Sequence, residues 1–421
     1  MSSRRIIEPL AAGPVPAIVS SAGNPAAVTI TQSLGAAGIP VHVLSNMDQP
    51  ACRFSRYATS CHITEVGRGG SSRHDNVHEP DSLLDYMIER LEPGVLFPGS
   101  DANVRFLARH KRRLLEAGFR LCIPDAQVLN TAVNKSELAE FCVKHGFPVP
   151  RTVIVDSQRD LARVREQLHF PIVLKGVFMK NHSFVQDAGL LSQTYDRFLR
   201  QFQGKTDDPR AVAQEWIPGP PDRFAKLYVV YDEHSRLVAS HTARRLRVHV
   251  RKDGSESDTL IARTEKIQAC ADRWLPFFEA IRWVGVASME CKYDDRDGEY
   301  KLIEINPRPW AILKLSVDCG MDVPLLYYRL ALGESVGRQT DFQENRYYIR
   351  LLWGNIDVPE PSSSLGGLLT GRISLREVLR VYLELLRNAR RVSIDVGRLR
   401  DPWPTLACMY YYGVRYFGKW F

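Results

Sequence analysis

The densest concentration of side chains able to do chemistry lies in residues 283–309, WVGVASMECKYDDRDGEYKLIEINPRP. Two apolar runs flank the turn Asp294-Asp295-Arg296-Asp297-Gly298, a β-hairpin signature. Alternation puts Ser288 and Glu290 on one face of the first strand, and Leu302, Glu304 and Asn306 on one face of the second. A hairpin symmetric about Asp297 sets Glu290 directly opposite Glu304. Like charges opposed across a sheet repel, and Glu304 sits in the apolar run Leu302-Ile303-Glu304-Ile305, so the pair requires a cation between it. Two carboxylates and the Asn306 amide oxygen make a hard, all-oxygen donor set suited to Mg2+ bridging nucleotide phosphates, with Mn2+ an alternative. Arg308 follows Asn306 by two residues and can offer its planar fork to a phosphoryl oxygen.

The elements that must position this hairpin read as an α/β half followed by an α+β half. Residues 15–45 pattern as strand, helix, strand, a βαβ unit on a parallel sheet. Its turn, Ser20 to Asn24, could present amides to a phosphate, but without G-x-G-x-x-G a structural turn is the simpler reading. A strand at 94–100, a helix at 101–117 and a short strand at 119–124 continue the alternation, and the Gly, Ser and charge-rich 67–81 reads as an exposed loop. The helix NKSELAEFCVKHG ends at Gly146, an extended FPVPRTVIV precedes a helix at 157–168, and HFPIVLKG is a buried strand ending in Lys175. From about 210 the segments AVAQEWIPG, FAKLYVVYD and LVASHTARR read as antiparallel strands. A helix at 374–391 and the aromatic, basic YYYGVRYFGKWF close the sequence.

The 421 residues carry 56 Lys and Arg against 48 Asp and Glu, a mild excess that suits phosphates or acidic metabolites without demanding nucleic acid. Eight scattered cysteines lack any C-x-x-C pair, which argues against a zinc site or disulfide framework and for reduced thiols. The N-terminal apolar runs are broken by prolines, and no stretch approaches the roughly 18 apolar residues that span a bilayer, so a soluble cytoplasmic protein is expected. The C-terminal tail could lie on a membrane surface, although aromatic residues at this density more often pack against a domain. Oligomeric state is not readable from the sequence, and a homodimer stays open.

Glu290, then E-x-N-x-R (Glu304, Asn306, Arg308), a strand-end Lys175 and the stretch QEWIPGPPD together resemble the ATP-grasp enzymes, nearest their carboxylate–amine ligase branch. The likeness covers roughly residues 15–335. It implies a pre-ATP-grasp α/β domain over 1–125, a small subdomain over 126–210, a large subdomain over 211–340 and a helical extension over 341–421. By the resemblance, Glu290, Glu304 and Asn306 are magnesium ligands and Arg308 faces the transferred phosphoryl group. Lys175 contacts the ATP phosphates and Lys135 is an earlier nucleotide-contacting lysine, Gln214 or Glu215 and the Ile217 backbone read adenine, and Asp222 holds the ribose. Two departures stand out. The family's stretch facing the phosphates and the carboxylate substrate corresponds to the cationic HTARRLRVHVRKDGSESDT (241–259), where VRKDGSES replaces a glycine-rich turn, so that Arg244, Arg245, Arg247, Arg251 and Lys252 suggest an acidic substrate, with Arg245 among the catalytic candidates. The loop after Lys175, GVFMKNHS, lacks the usual glycines, and Lys180 or the backbone near Ser183 could compensate. The implied reaction joins a small-molecule carboxylate to an amine through an acyl phosphate. A bicarbonate-using carboxylase or carbamoylating enzyme and a non-catalytic nucleotide-binding module are the alternatives.

Overall fold

The computed structural model describes residues 13–20, 23–47, 49–64, 81–178, 182–202, 208, 210–250, 256–350, 374–394, 398, 400–408 and 410. Most of the 67–81 loop, Lys180, Arg251, Lys252 and the end of the aromatic tail lie outside the described residues.

The first domain is built from β1 (Ala17–Ser20), α1 (Pro25–Ala36), β2 (Val41–Ser45), β3 (Ser60–Ile63), α2 (Ser82–Arg90), β4 (Val95–Phe97), α3 (Asp101–Arg109) and α4 (Lys111–Glu116). Its four strands form a parallel sheet in the order β3-β2-β1-β4. Asn24 caps α1, its side chain accepting from Ala27 N at 2.8 Å and donating to Gly99 O at 2.8 Å, a structural role for the first turn. The expected strand at 119–124 is reduced to a single bridge, Arg120 to Val95, and the expected helix at 101–117 breaks at His110.

Two helices, α5 (Ala126–Val133) and α6 (Lys135–Lys144), lead to the small subdomain: β5 (Thr152–Val155), α7 (Leu161–Gln167), β6 (Ile172–Gly176), β7 (His182–Val185), α8 (Leu191–Phe202) and β8 (Ala211–Glu215). Its antiparallel sheet runs β5-β8-β6-β7, so Ala211–Glu215, which the sequence reading assigns to the large subdomain, pairs between β5 and β6 instead. The period-two pattern marks a strand but not which sheet takes it.

The large sheet gathers β9 (Phe224–Tyr231), β10 (Leu237–Val250), β11 (Glu256–Thr264), β12 (Gly285–Asp294) and β13 (Glu299–Asn306), with α9 (Gln268–Ala280), α10 (Leu313–Asp318) and α11 (Val323–Ala331) following the chain. The extension is not purely helical: β14 (Tyr347–Ile349) and β15 (Val392–Ile394) flank α12 (Leu375–Arg387) and complete the seven-stranded order β13-β12-β9-β10-β11-β14-β15.

One hydrophobic core runs through the first domain and the large sheet, whereas the small subdomain has a core of its own around Val155, Leu174 and Phe198. Gly285 marks the join between the first two. Its φ is +82° and a Cβ there would lie 2.0 Å from Cys122 O, so the start of β12 can meet the first domain only without a side chain. Tyr327 ties the same seam, donating to Leu96 O at 2.9 Å. A second seam is made by Asp401, fully buried, whose carboxylate accepts from Ser55 Oγ at 2.5 Å, Gln32 Nε2 at 3.1 Å and Arg56 N at 2.9 Å. All eight cysteines are free and all but Cys61 buried, and burial pushes the Cys122, Cys142 and Cys319 thiols up to about 12.

Candidate active site

Between the small subdomain and the large sheet lies a cavity of about 240 Å³. Lys175 on β6, His182 on β7, and Gln214, Glu215, Trp216 and Ile217 at the end of β8 form one side. Phe224 and Lys226 on β9, Arg245 on β10, Ser288, Glu290 and Lys292 on β12 and Ile303, Glu304 and Asn306 on β13 form the other.

The hairpin sets Glu290 opposite Glu304 and Ser288 opposite Asn306. A bulge makes this possible: Cys291 pairs with Leu302, so Ile303 is the extra residue. Leu302 therefore turns into the main core with Cys291, away from the face of Glu304 and Asn306 where the sequence reading placed it. The repulsion between the carboxylates is relieved partly by protein cations. Lys226 Nζ meets Glu290 Oε1 at 2.5 Å and Arg245 Nη1 meets Glu290 Oε2 at 3.0 Å, while Glu304 Oε1 accepts from Asn306 Nδ2 at 2.8 Å. The metal between the pair is thus not forced by charge alone. What fits a hard divalent cation is the chemistry of the donors, two carboxylates and an amide oxygen on adjacent strands.

Arg308 is held by three acceptors: Nε donates to Asp101 Oδ1 at 2.8 Å, Nη2 to Asn306 Oδ1 at 3.1 Å and Nη1 to Pro309 O at 3.2 Å. Asp101 opens α3, so the first domain reaches into the site. Lys175 donates to Gln214 Oε1 at 2.6 Å and lies 3.4 Å from Ile303 O. Burial, reinforced by Lys135, pushes its ammonium down to about 8 despite Glu304 and Glu290. In the unfolded chain it regains a lysine value near 10.5, so from about pH 8 to 10.5 the unfolded state binds more protons and this group's contribution to stability rises with pH. Urea unfolding of Lys175→Met across that window is expected to show a flatter pH slope than the parent chain.

Glu215 Oε1 accepts from His169 N at 2.9 Å, with Nδ1 of the same histidine at 3.0 Å. Lys292 is buried on the cavity wall, its Nζ 4.8 Å from the Trp216 ring centre and 4.7 Å from that of Phe224. Trp310, beside Arg308, stacks on Tyr228 at 4.4 Å and donates to Ser316 Oγ at 3.0 Å.

No family model matches the chain. It is 25% identical over 225 residues to D-aspartate ligase of Enterococcus faecium (strain Aus0004), covering 51% of this chain and 53% of that protein. It is 23% identical over 197 residues to D-alanine–D-alanine ligase of Pseudomonas fluorescens (strain Pf0-1), covering 43% and 56%. The chain thus spans little more than half the length of these curated relatives. In structure it is similar to the biotin carboxylase domain of the Hydrogenobacter thermophilus 2-oxoglutarate carboxylase, with a TM-score of 0.64 and 14% identity over 80% of this chain and 74% of that one. The chain has the ATP-grasp fold.

Within this ATP-grasp fold the cavity brings together Lys135, Lys175, Gln214, Glu215, Ile217, Arg245, Glu290, Glu304, Asn306 and Arg308. Asp222, expected at the ribose, is not among its walls. It sits on the turn Pro221–Arg223 and lines a separate depression with Arg223, Arg244, Arg263, Glu265, Tyr293 and Tyr300. Arg244 belongs there too: alternation along β10 turns it away from Arg245, and Glu265 holds it at 2.6 Å. Arg247 also lies off the cavity wall. Sequence reasoning missed Lys226, Lys292, Trp310 and Arg350, and gave His182 no role. A signal existed for Lys226, a cation inside the apolar run Phe224-Ala225-Lys226-Leu227, the same anomaly that flagged Glu304.

Proposed function

We propose that the cavity binds ATP and uses it to ligate a carboxylate to an amine through an acyl phosphate, releasing ADP and phosphate. The observation that carries this reading is the meeting of Lys175, Lys135 and Arg308 with the opposed Glu290 and Glu304 and with Asn306 in one cavity between two subdomains. Glu290, Glu304 and Asn306 would hold magnesium, which supplies neutralisation of the phosphate charge. The turn from Gln214 to Ile217 would receive the base. Since the Glu215 carboxylate is committed to His169, its contribution there falls to the backbone.

Phosphoryl transfer needs little covalent help from a protein, and positioning and charge dominate. Lys175 and Arg308 would face the transferred group from opposite sides of the cavity. Arg245 and Lys226, both paired with Glu290, would hold that carboxylate in place and add positive charge to the cavity, consistent with an acidic substrate. The separate core of the small subdomain lets it shift as a unit against the rest, which would exclude water from the acyl phosphate.

The experiment is to incubate the chain with MgATP, a pool of small carboxylic acids and hydroxylamine, and search for a hydroxamate by mass spectrometry. A hydroxamate formed by the parent chain and not by Glu304→Ala supports ligation, and its mass names the acid. A second reading rests on the solved structure of the biotin carboxylase domain, which holds MgADP and bicarbonate. ADP release that depends on bicarbonate and yields no hydroxamate would favour that carboxylase reading.

A further inference from the structure

Helix α12 turns a leucine stripe to solvent. Leu375, Leu379, Leu383 and Leu386 are 59%, 50%, 48% and 71% exposed. At 3.6 residues per turn the four fall within an arc of about 80°. Arg376, Arg380 and Arg387, all exposed, occupy the next sector of about 40°. The inner side is secured separately, with Leu385 packed on Ile261 and Tyr347 and Glu384 bound to Arg263 at 3.2 Å and to Tyr347 Oη at 2.6 Å. Among the described side chains of the helix Glu384 is the one acid, so the outward face is apolar and cationic. The exposed Arg390 and Arg391 follow at once.

We propose that this face is a docking surface for an anionic phospholipid bilayer. Solvated leucines in a row have no reason to persist on a free surface, whereas an arc of leucine beside an arc of arginine matches the boundary between acyl chains and anionic headgroups. A second copy of the chain is the poorer occupant. In a two-fold contact over this stripe, Arg376, Arg380 and Arg387 of each copy would meet those of the other with no acid among the described side chains of the face to offset them. A helix of 13 residues is too short to cross a bilayer, and no helix among the described residues is long and apolar enough to do so, so the helix would lie in the interface plane. The proposal does not depend on the ligase reading.

The test is sedimentation of the full chain with vesicles of phosphatidylcholine alone and with vesicles containing phosphatidylglycerol, at low and high salt. Binding to the anionic vesicles is expected to exceed binding to neutral ones by about ten-fold or more and to weaken with salt. Leu379→Glu/Leu383→Glu should abolish it with an unchanged thermal midpoint. If that variant fails to fold, Arg376→Gln/Arg380→Gln, changed only at exposed side chains, should still lower it several-fold. Absence of binding, or equal binding to both vesicle types, overturns the proposal. So does a dimer in analytical ultracentrifugation that Leu379→Glu/Leu383→Glu splits while vesicles bind neither form, which would assign the face to a second copy.

Discussion

Replacing Glu304 by Gln is expected to lower MgATP turnover by about 10²–10³-fold, the loss seen when one group facing developing charge is removed from a dry site. The substitution is nearly isosteric. Gln keeps an oxygen for the bond from Asn306 Nδ2, which spans 2.8 Å, so the hairpin and its bulge should survive. What disappears is one negative charge from a pair whose other member, Glu290, is already engaged by Lys226 and Arg245. Glu304 is thus the less encumbered carboxylate, and its loss should reduce kcat more than nucleotide affinity. Steady-state ADP release beside a thermal melt checks this. Full turnover by Glu304→Gln would remove the carboxylate pair from the chemistry.

The second large effect should come from Arg308→Lys, which preserves charge but not the fork. Its three donor contacts reach Asp101, Asn306 and Pro309 in one plane, a geometry that a single ammonium cannot reproduce. A fall of about 10²-fold in kcat is expected. Asp101→Asn should give a smaller loss, about ten-fold and again in kcat, because Asp101 acts by orienting Arg308 from another domain. Equal activity of Arg308→Lys and the parent chain would show that only the charge matters.

The legible parts of this molecule were those where one local rule sufficed. The βαβ unit, the capped α6 and the hairpin of Glu290 and Glu304 follow from period and turn chemistry. The facing of Glu290 and Glu304 is instructive, because it was right for an incomplete reason. The ladder ends with Asp294 opposite Glu299, half a residue short of symmetry about Asp297, and the bulge at Ile303 restores the alignment. A bulge leaves no trace in alternation, so Leu302 was assigned to the wrong face. Asp222 and Arg244 were misplaced for a related reason: which side of a sheet a residue takes beyond a hinge depends on how the turn at Pro221–Arg223 crosses the sheet. Arg350, at the end of a three-residue strand, offered no pattern at all, and β14 and β15 were lost inside a segment that reads as helical.

The Asp401 seam bears on the order in which the chain can mature. Its partners Gln32 and Ser55 lie 369 and 346 residues upstream, so the first domain leaves the ribosome long before the carboxylate that satisfies it exists. Until then Ser55 and the Arg56 amide have no Asp401 to bind, and the domain folds in a provisional form with a solvated edge. Contacts of such sequence separation close late and slowly. A chain interrupted before residue 401 would therefore leave Gln32 Nε2, Ser55 Oγ and the Arg56 amide without the carboxylate that binds them, an unsealed edge of the first domain open to chaperones and proteases.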